Sequence, residues 1–549
     1  MKIFAAKYTM LSALAIISIS CATEKAQYGK NIKNFNTSQR IKDEDIAHTF
    51  YLVGDAGNAD QDHAKKILNQ LKSKLDSADQ NSTLLFLGDN IYPRGLPSKD
   101  SKDRKLAEEK LDDQIALANK FKGQSIFVPG NHDWYSNGII GLKEEQDYVI
   151  EKLNDKKAFS PKNSCAIETR KIGKDIALIT IDSEWFLADW DKNPGINEKC
   201  DIKTREDFFT EFEDQISKNQ NKTIIVAVHH PLIDHGSHGG YYSMEKQLFP
   251  LENKIPLPIL ATGINLMRAT GGITHQDLSN PNYRKLAARI KTLIADKENV
   301  ILVSGHDHNL QYIEQGNIRQ IISGAGSKSE AAAAISPNDF SYGQNGYAVL
   351  KISKKGEAFV DYFGRENDQE KLLFSHSVLK GDNYTKTDYP KDFPATTTTS
   401  IYNQKDTEKS GFYKMLWGNN YREMYGTQVS VPTLDLDTLY GGAKATRAGG
   451  GHQTNSLRLD TPKGEYVIRA LHKSGVRFLQ SVAFKDRYVV DDFADGFADQ
   501  FLLDFYTSSN PYTPLAIGAM AESIGVKHTD PSLVYVPKQN ALGKYNQNF

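Results

Sequence analysis

Cysteine is almost absent, with three in 549 residues, which excludes a disulfide-dense scaffold and a zinc cage built from thiolates. Beyond the first twenty residues there is no apolar run long enough to read as a membrane-spanning helix. Neither sign of charge dominates: the formal net charge is −1 and basic runs are short, which leaves no electrostatic footprint for a nucleic acid partner. What is present is length. A chain of 549 residues exceeds one ordinary core, so two or three domains are expected, and 25% charged with 39% hydrophobic content is ordinary for soluble globular protein.

The first twenty residues differ in kind. Lys2 and Lys7 form a basic head before MLSALAIISIS, an apolar run too short to span a bilayer, and residues 1–20 read as a secretory signal. The run ends at Cys21 after Ser18-Ile19-Ser20. Small residues before a cysteine resemble a bacterial lipoprotein cleavage site with Cys21 acylated, although Ser18 stands where leucine is usual. The expectation is an exported protein, periplasmic or at the cell surface, held to the outer membrane through lipidated Cys21; the alternative is a soluble secreted one. In that setting Cys165 and Cys200, flanking a Trp-rich segment, are a candidate disulfide, with two free thiols as the alternative.

Residues 21–46 are polar and read as a tether. From 47 to 365, short β-branched runs end in glycine and polar residues and alternate with helical stretches: HTFYLVGDAG, STLLFLGDNIY, QSIFVPGNHDWY, DIALITIDSE, KTIIVAVHHP, NVILVSGHDH and IRQIISGAG. That alternation predicts an α/β sheet with helices outside. In six of the runs polar residues fall at the carboxyl end, where open α/β sheets bind ligands. Residues 366–409, with KTDYPKDFPATTTTS, read as a linker. Residues 410–549 read as a smaller C-terminal α+β domain, with strands in NSLRLDTPKGEYVIRAL and helices around 490 to 525. The chain stops after VPKQNALGKYNQNF without a terminating element and reads as a piece of something longer.

The strand ends carry Asp55, then Asp89 and Tyr92, then Asn131 and His132, then His229 and His230, and last His306 and His308. Carboxylate, imidazole, phenolate and amide oxygen together suit Zn(II), Mn(II) and iron. With Asp89 bridging, the seven ligands Asp55, Asp89, Tyr92, Asn131, His229, His306 and His308 provide two metal ions with four contacts each. Singly, Asp55, Asp89 or His229 would more often cap a turn than bind metal. The ordered set reverses those odds.

The blocks GDAG, GDNIY, GNHD, VAVH and GHDH, in that order, resemble the calcineurin-like metallophosphoesterases, and within them the purple acid phosphatases. Their pattern is GDxG, GDxxY, GNH(D/E), VxxH and GHxH. GHDHNLQY and SGAG look similar to the small tartrate-resistant acid phosphatases. The resemblance implies a four-layer αββα sandwich, with one metal on Asp55, Asp89, Tyr92 and His308 and the other on Asp89, Asn131, His229 and His306. Most relatives have a histidine two residues after the first aspartate; here Gly57 stands there, and Tyr92 makes good the missing ligand. A tyrosinate at that place favours Fe(III) and a purple colour, with Zn(II), Fe(II) or Mn(II) as the second ion. His132 is expected to contact substrate phosphate. His238, nine residues beyond His229, matches the family spacing for a phosphate-binding or proton-donating histidine and is preferred to His235.

The implied activity is hydrolysis of phosphate monoesters by metal-activated hydroxide. Its rivals are a phosphodiesterase or nucleotidase on the same site, and a surface scaffold whose metal site is vestigial. His230 is expected beside the site, Asp307 to fix His306 or a backbone amide, and Trp134 and Tyr135 in the mouth or the core. Two features depart from the small phosphatases. Residues 239–285 form an insertion whose IPLPILATGINLM is read first as a lid and second as a membrane contact. The C-terminal domain looks similar to regions of long exported Bacteroidota phosphoesterases, and its role and any protein partner are left open.

Overall fold

The computed structural model describes residues 22–32, 41–58, 62–249, 255–366, 369–381, 389–449, 454–493 and 496–547. The signal segment and Cys21 lie outside them. The chain divides into two units, Met1–Asp382 and Asn383–Phe549.

In the first unit one sheet holds β2 (Ile46–Val53), β3 (Ser82–Phe86), β4 (Gln124–Phe127), β12 (Gly346–Ser353), β13 (Glu357–Glu366) and β14 (Gln369–Lys380), in the order β14-β13-β12-β2-β3-β4. The other holds β1 (Gln27–Tyr28), β5 (Ile167–Ile172), β6 (Ile176–Ile181), β7 (Thr223–Val228), β8 (Val300–Ser304), β9 (Leu310–Gln315), β10 (Ile318–Ser323) and β11 (Phe340–Tyr342), in the order β1-β11-β9-β10-β8-β7-β6-β5. The central strands β3, β6, β7 and β8 are buried on both faces because each face meets a different layer. Phe50, Leu52, Leu85, Ile225, Ala227, Ile301 and Val303 interlock in a core shared by the two sheets. Their neighbours Tyr51, Val53, Leu84, Phe86, Ile224, Val226, Val300 and Leu302 pack instead with the helices, including Leu71, Leu111, Phe212 and Ile290. The result is helix, sheet, sheet, helix. Strands β2, β3 and β4 run parallel in one sheet, and β6, β7 and β8 in the other. Their carboxyl ends therefore open on one side.

Cys165 and Cys200 are joined as a disulfide. Three expectations about organisation need correction. The tether is not free: Ala22 bridges to Ser243, Thr23 to Ala332, and β1 adds an edge strand beside β11. The linker does not begin at 366, because β14 pairs with β13 as far as Lys380. Its threonine tract is a strand, Thr396–Thr399, paired with Val429–Pro432 in the second unit, as the β-branched side chain favours.

The second unit also holds a three-stranded antiparallel sheet, Lys444–Gly449, Ser456–Thr461 and Gly464–Arg469, and helices including Phe497–Tyr506 and Thr513–Ser523. Arg422 forks onto Asp504 at 2.7 and 2.9 Å, a buried bidentate pair. Among the described residues no helix is long and apolar enough to cross a membrane.

Candidate metal centre

At three strand ends the chain turns through a left-handed residue that is not glycine: Asp55 (φ 56°), Asp89 (φ 54°) and His306 (φ 69°). Such residues are uncommon, and they cluster where side-chain aim matters more than backbone comfort. The turns fit only because glycine precedes each one. A Cβ on Gly88 would stand 2.5 Å from His229 Nδ1 and 2.8 Å from the Gly130 nitrogen. The turns are also tied to one another, the Asp55 amide donating to the Gly88 carbonyl at 2.9 Å and the Gly305 amide to the His229 carbonyl at 3.1 Å.

Two groups of donor atoms result. In the first, Tyr92 Oη lies 2.8 Å from Asp55 Oδ1 and 3.0 Å from His308 Nε2. In the second, Asn131 Oδ1 lies 3.1 Å from both His229 Nε2 and His306 Nδ1. Asp89 joins them, with Oδ1 3.3 Å from His229 Nε2 and its carboxylate beside the Tyr92 hydroxyl. Donor atoms about 3 Å apart are the spacing expected around one ion with bonds of about 2.0–2.2 Å. Donor atoms of Asp55, Asp89 and His229 all lie within 4.8 Å of one another.

The outer contacts select which atom of each ligand points inward. Leu87 O sits 2.7 Å from His229 Nδ1, and Gln276 O sits 2.9 Å from His306 Nε2. A carbonyl only accepts, so those nitrogens carry the hydrogens, leaving His229 Nε2 and His306 Nδ1 with free lone pairs. Asn131 donates its amide to Tyr135 Oη at 2.8 Å, which turns its oxygen inward.

The electrostatics suit cations. Burial, and then the Asp89 charge, push the Asp55 carboxyl well up. Burial opposes ionisation of Asp89 too, but neighbouring His229 and His132 hold its carboxyl low. Burial drives the Tyr92 phenol up, with Asp55 and Asp89 adding to it. His229, His306 and His308 are lowered by burial and so favour the neutral, ligating form. Two buried carboxylates and a phenol crowded among neutral imidazoles are a donor set that positive ions would relieve. The residues fit a two-metal site.

The glycine-for-histidine exchange has a steric reason. A Cβ at Gly57 would meet the Asn90 carbonyl carbon at 2.4 Å, so no side chain is accommodated. The Tyr92 amide donates to the Gly57 carbonyl at 3.0 Å, and this same close contact carries the phenol to the first donor group.

The remaining expected residues separate. His132 stays at the rim: its amide donates to Asp89 Oδ1 at 2.9 Å and its ring lies against Tyr92. The ring of His238 lies 4.2 Å from that of His306. His235 is corrected: it is buried beside Asp339, 3.2 Å away, with its ring on Tyr241, and the loop after β7 does not bring it to the donor atoms. His230 packs on His306, with Ser183 and Gln276 on its two nitrogens. Among the described residues neither carboxyl oxygen of Asp307 has a hydrogen-bond partner, so it fixes neither His306 nor a backbone amide, and burial with the adjacent Asp234 carboxyl pushes its pKa up. Trp134 is core, bonded to Asp182, while Tyr135 is exposed at the mouth. No motif announced Lys328, whose ammonium stands 3.3 Å over the Tyr92 ring, or Gln276 and Asp277 of the insertion. The polar quartet THQD after the apolar helix was the one signal for the latter pair.

Residues 48–310 match the family model described as calcineurin-like phosphoesterase. Those residues form a calcineurin-like phosphoesterase domain, which makes the first unit a hydrolase of the phosphatase kind. It is similar to human tartrate-resistant acid phosphatase type 5, at 24% identity over 291 residues, 50% of this chain and 72% of that protein. Among solved structures it is similar to GAP50, described as the anchor in the inner membrane complex of Plasmodium, with a TM-score of 0.38 and 16% identity, over 61% of this chain and 92% of that one. It is also similar to PhoD, with a TM-score of 0.37 and 10% identity, over 60% and 68%.

Proposed function

We propose that the protein is an exported phosphatase that hydrolyses phosphate monoesters at a two-metal centre. The observation that carries this reading is the pair of donor groups joined by Asp89, one of which includes a phenol. Asp55, Asp89, Tyr92 and His308 would hold one ion, read as Fe(III). Asp89, Asn131, His229 and His306 would hold the other, read as Zn(II), Fe(II) or Mn(II). Bound there, such ions lower the pKa of a water from 15.7 to about 7 and neutralise charge on phosphoryl oxygens. His132 at the rim would donate to a phosphate oxygen, and His238, its ring 4.2 Å from that of His306, would protonate the leaving oxygen. The name of the human relative, an acid phosphatase, supports the same substrate class.

A panel of esters tests this. The purified protein should turn over p-nitrophenyl phosphate at least tenfold faster than bis-p-nitrophenyl phosphate. Clear diester preference would replace the reading with a phosphodiesterase, and a metal-loaded protein inert on both would favour a scaffold. Export and lipid anchoring rest on the first 21 residues and are checked separately. Cys21→Ser should move the protein from the membrane fraction to the soluble one, and unchanged partition would reject the anchor.

A further inference from the structure

The sequence reads the insertion first as a lid over the site and second as a membrane contact. Its end is instead built into the site. After the helix Pro258–Gly271, the chain passes beside the donor groups. Gln276 O meets His306 Nε2 at 2.9 Å, and Asp277 Oδ1 meets His238 Nδ1 at 3.1 Å. Arg268, on that helix, clamps the same carboxylate through two bonds, Nε to Oδ2 at 3.0 Å and an Nη to Oδ1 at 2.7 Å. The Leu278 amide donates to the His238 carbonyl at 2.9 Å, so the histidine is held at both backbone and ring. Asp277 is 1% exposed.

We propose that Asp277, oriented by Arg268, is the positioning residue that makes His238 a proton donor at the metal centre. The inference rests on the phosphatase reading above. An ionised carboxylate only accepts, so His238 Nδ1 carries a hydrogen toward it and Nε2 is the atom left to serve substrate. Although burial works against it, Asp277 is held well below the usual carboxylate range by its bonds from His238 and Arg268. When the ester P–O bond breaks, the leaving oxygen takes the Nε2 proton, and the ring returns to neutral with its remaining hydrogen still on Nδ1. The insertion thereby supplies catalysis with a fixed wall, and the catalytic histidine gains an orienter that the five sequence blocks do not contain.

The test is Asp277→Asn, whose amide, with its oxygen kept on Arg268, offers Nδ1 a donor and favours the opposite tautomer. On an alkyl ester such as glycerol 2-phosphate, kcat should fall at least tenfold. On p-nitrophenyl phosphate, whose leaving group needs no proton, it should fall less than threefold, with metal content unchanged. Arg268→Gln should show the same pattern at smaller amplitude, and it is the variant to read should Asp277→Asn not fold. An equal fall on both esters, or a fall accompanied by metal loss, would reduce Asp277 to a structural strut and overturn the proposal. ¹⁵N spectra of the histidines in zinc-loaded protein decide it even for a protein that cleaves neither ester. His238 protonated on Nδ1 in the wild type and shifted in Asp277→Asn supports the assignment; identical spectra reject it.

Discussion

Replacing Asp89 with alanine is expected to abolish turnover and leave at most one metal ion per protein. Asp89 lies between the two donor groups, its Oδ1 3.3 Å from His229 Nε2 on one side and its carboxylate beside the Tyr92 hydroxyl on the other. In the proposed centre its loss would take a ligand from each ion and the carboxylate that lies between the two donor groups. The fall in kcat should exceed the 10–100-fold typical when an outer partner of a metal ligand is lost. The fold should survive. In the metal-free protein Asp89 raises Asp55 by charge repulsion, so its removal relieves one buried conflict. Against that, it strands the His132 amide, a cost of about 1–3 kcal/mol. Metal analysis and kcat on the same preparation check the prediction; turnover within tenfold of wild type would refute the site.

Tyr92→Phe separates the identity of the first ion from the existence of the site. The substitution deletes one oxygen, which lies 2.8 Å from Asp55 and 3.0 Å from His308, and keeps the ring packed beneath Lys328 and beside His132. Without metal the variant should be less stable than wild type by about 1–3 kcal/mol, because the phenol donates to the buried Asp55 carboxylate at 2.8 Å and its loss leaves that oxygen without its donor. With iron bound it should lose the visible absorption band, and activity should fall about tenfold as water takes the vacant position. Iron content and the visible spectrum are the readouts. An unchanged band would mean that the first ion is not tyrosinate-bound iron.

How much was legible depended on whether a signal was local. Runs such as TIIVAV and VILVS announce strands buried on both faces, because each residue's burial follows from a two-residue period. Glycine before Asp55, Asp89 and His306 announces the sharp turns that only glycine allows to close. The THQD quartet, by contrast, has no periodicity that ties it to a histidine nearly forty positions earlier. Asp277 meets His238 only because the preceding helix packs Arg268 against it. The docking of Ala22 on Ser243 and of Thr23 on Ala332 was equally hidden, since a polar segment reads as free until a partner edge appears.

By itself the sequence determined the layered α/β architecture, the order of the five blocks and the residue types of the donor set. These follow from local patterning and from ligand chemistry. Tertiary structure alone decided which ligand atoms point inward, why Gly57 and Tyr92 exchange roles, and that the His238 ring lies against His306 while His235 turns to Asp339. The physical reason is common to all three. Each depends on contact between segments far apart in the chain, where a carbonyl, a carboxylate or a missing Cβ on one segment sets the hydrogen bonding and space available to the other.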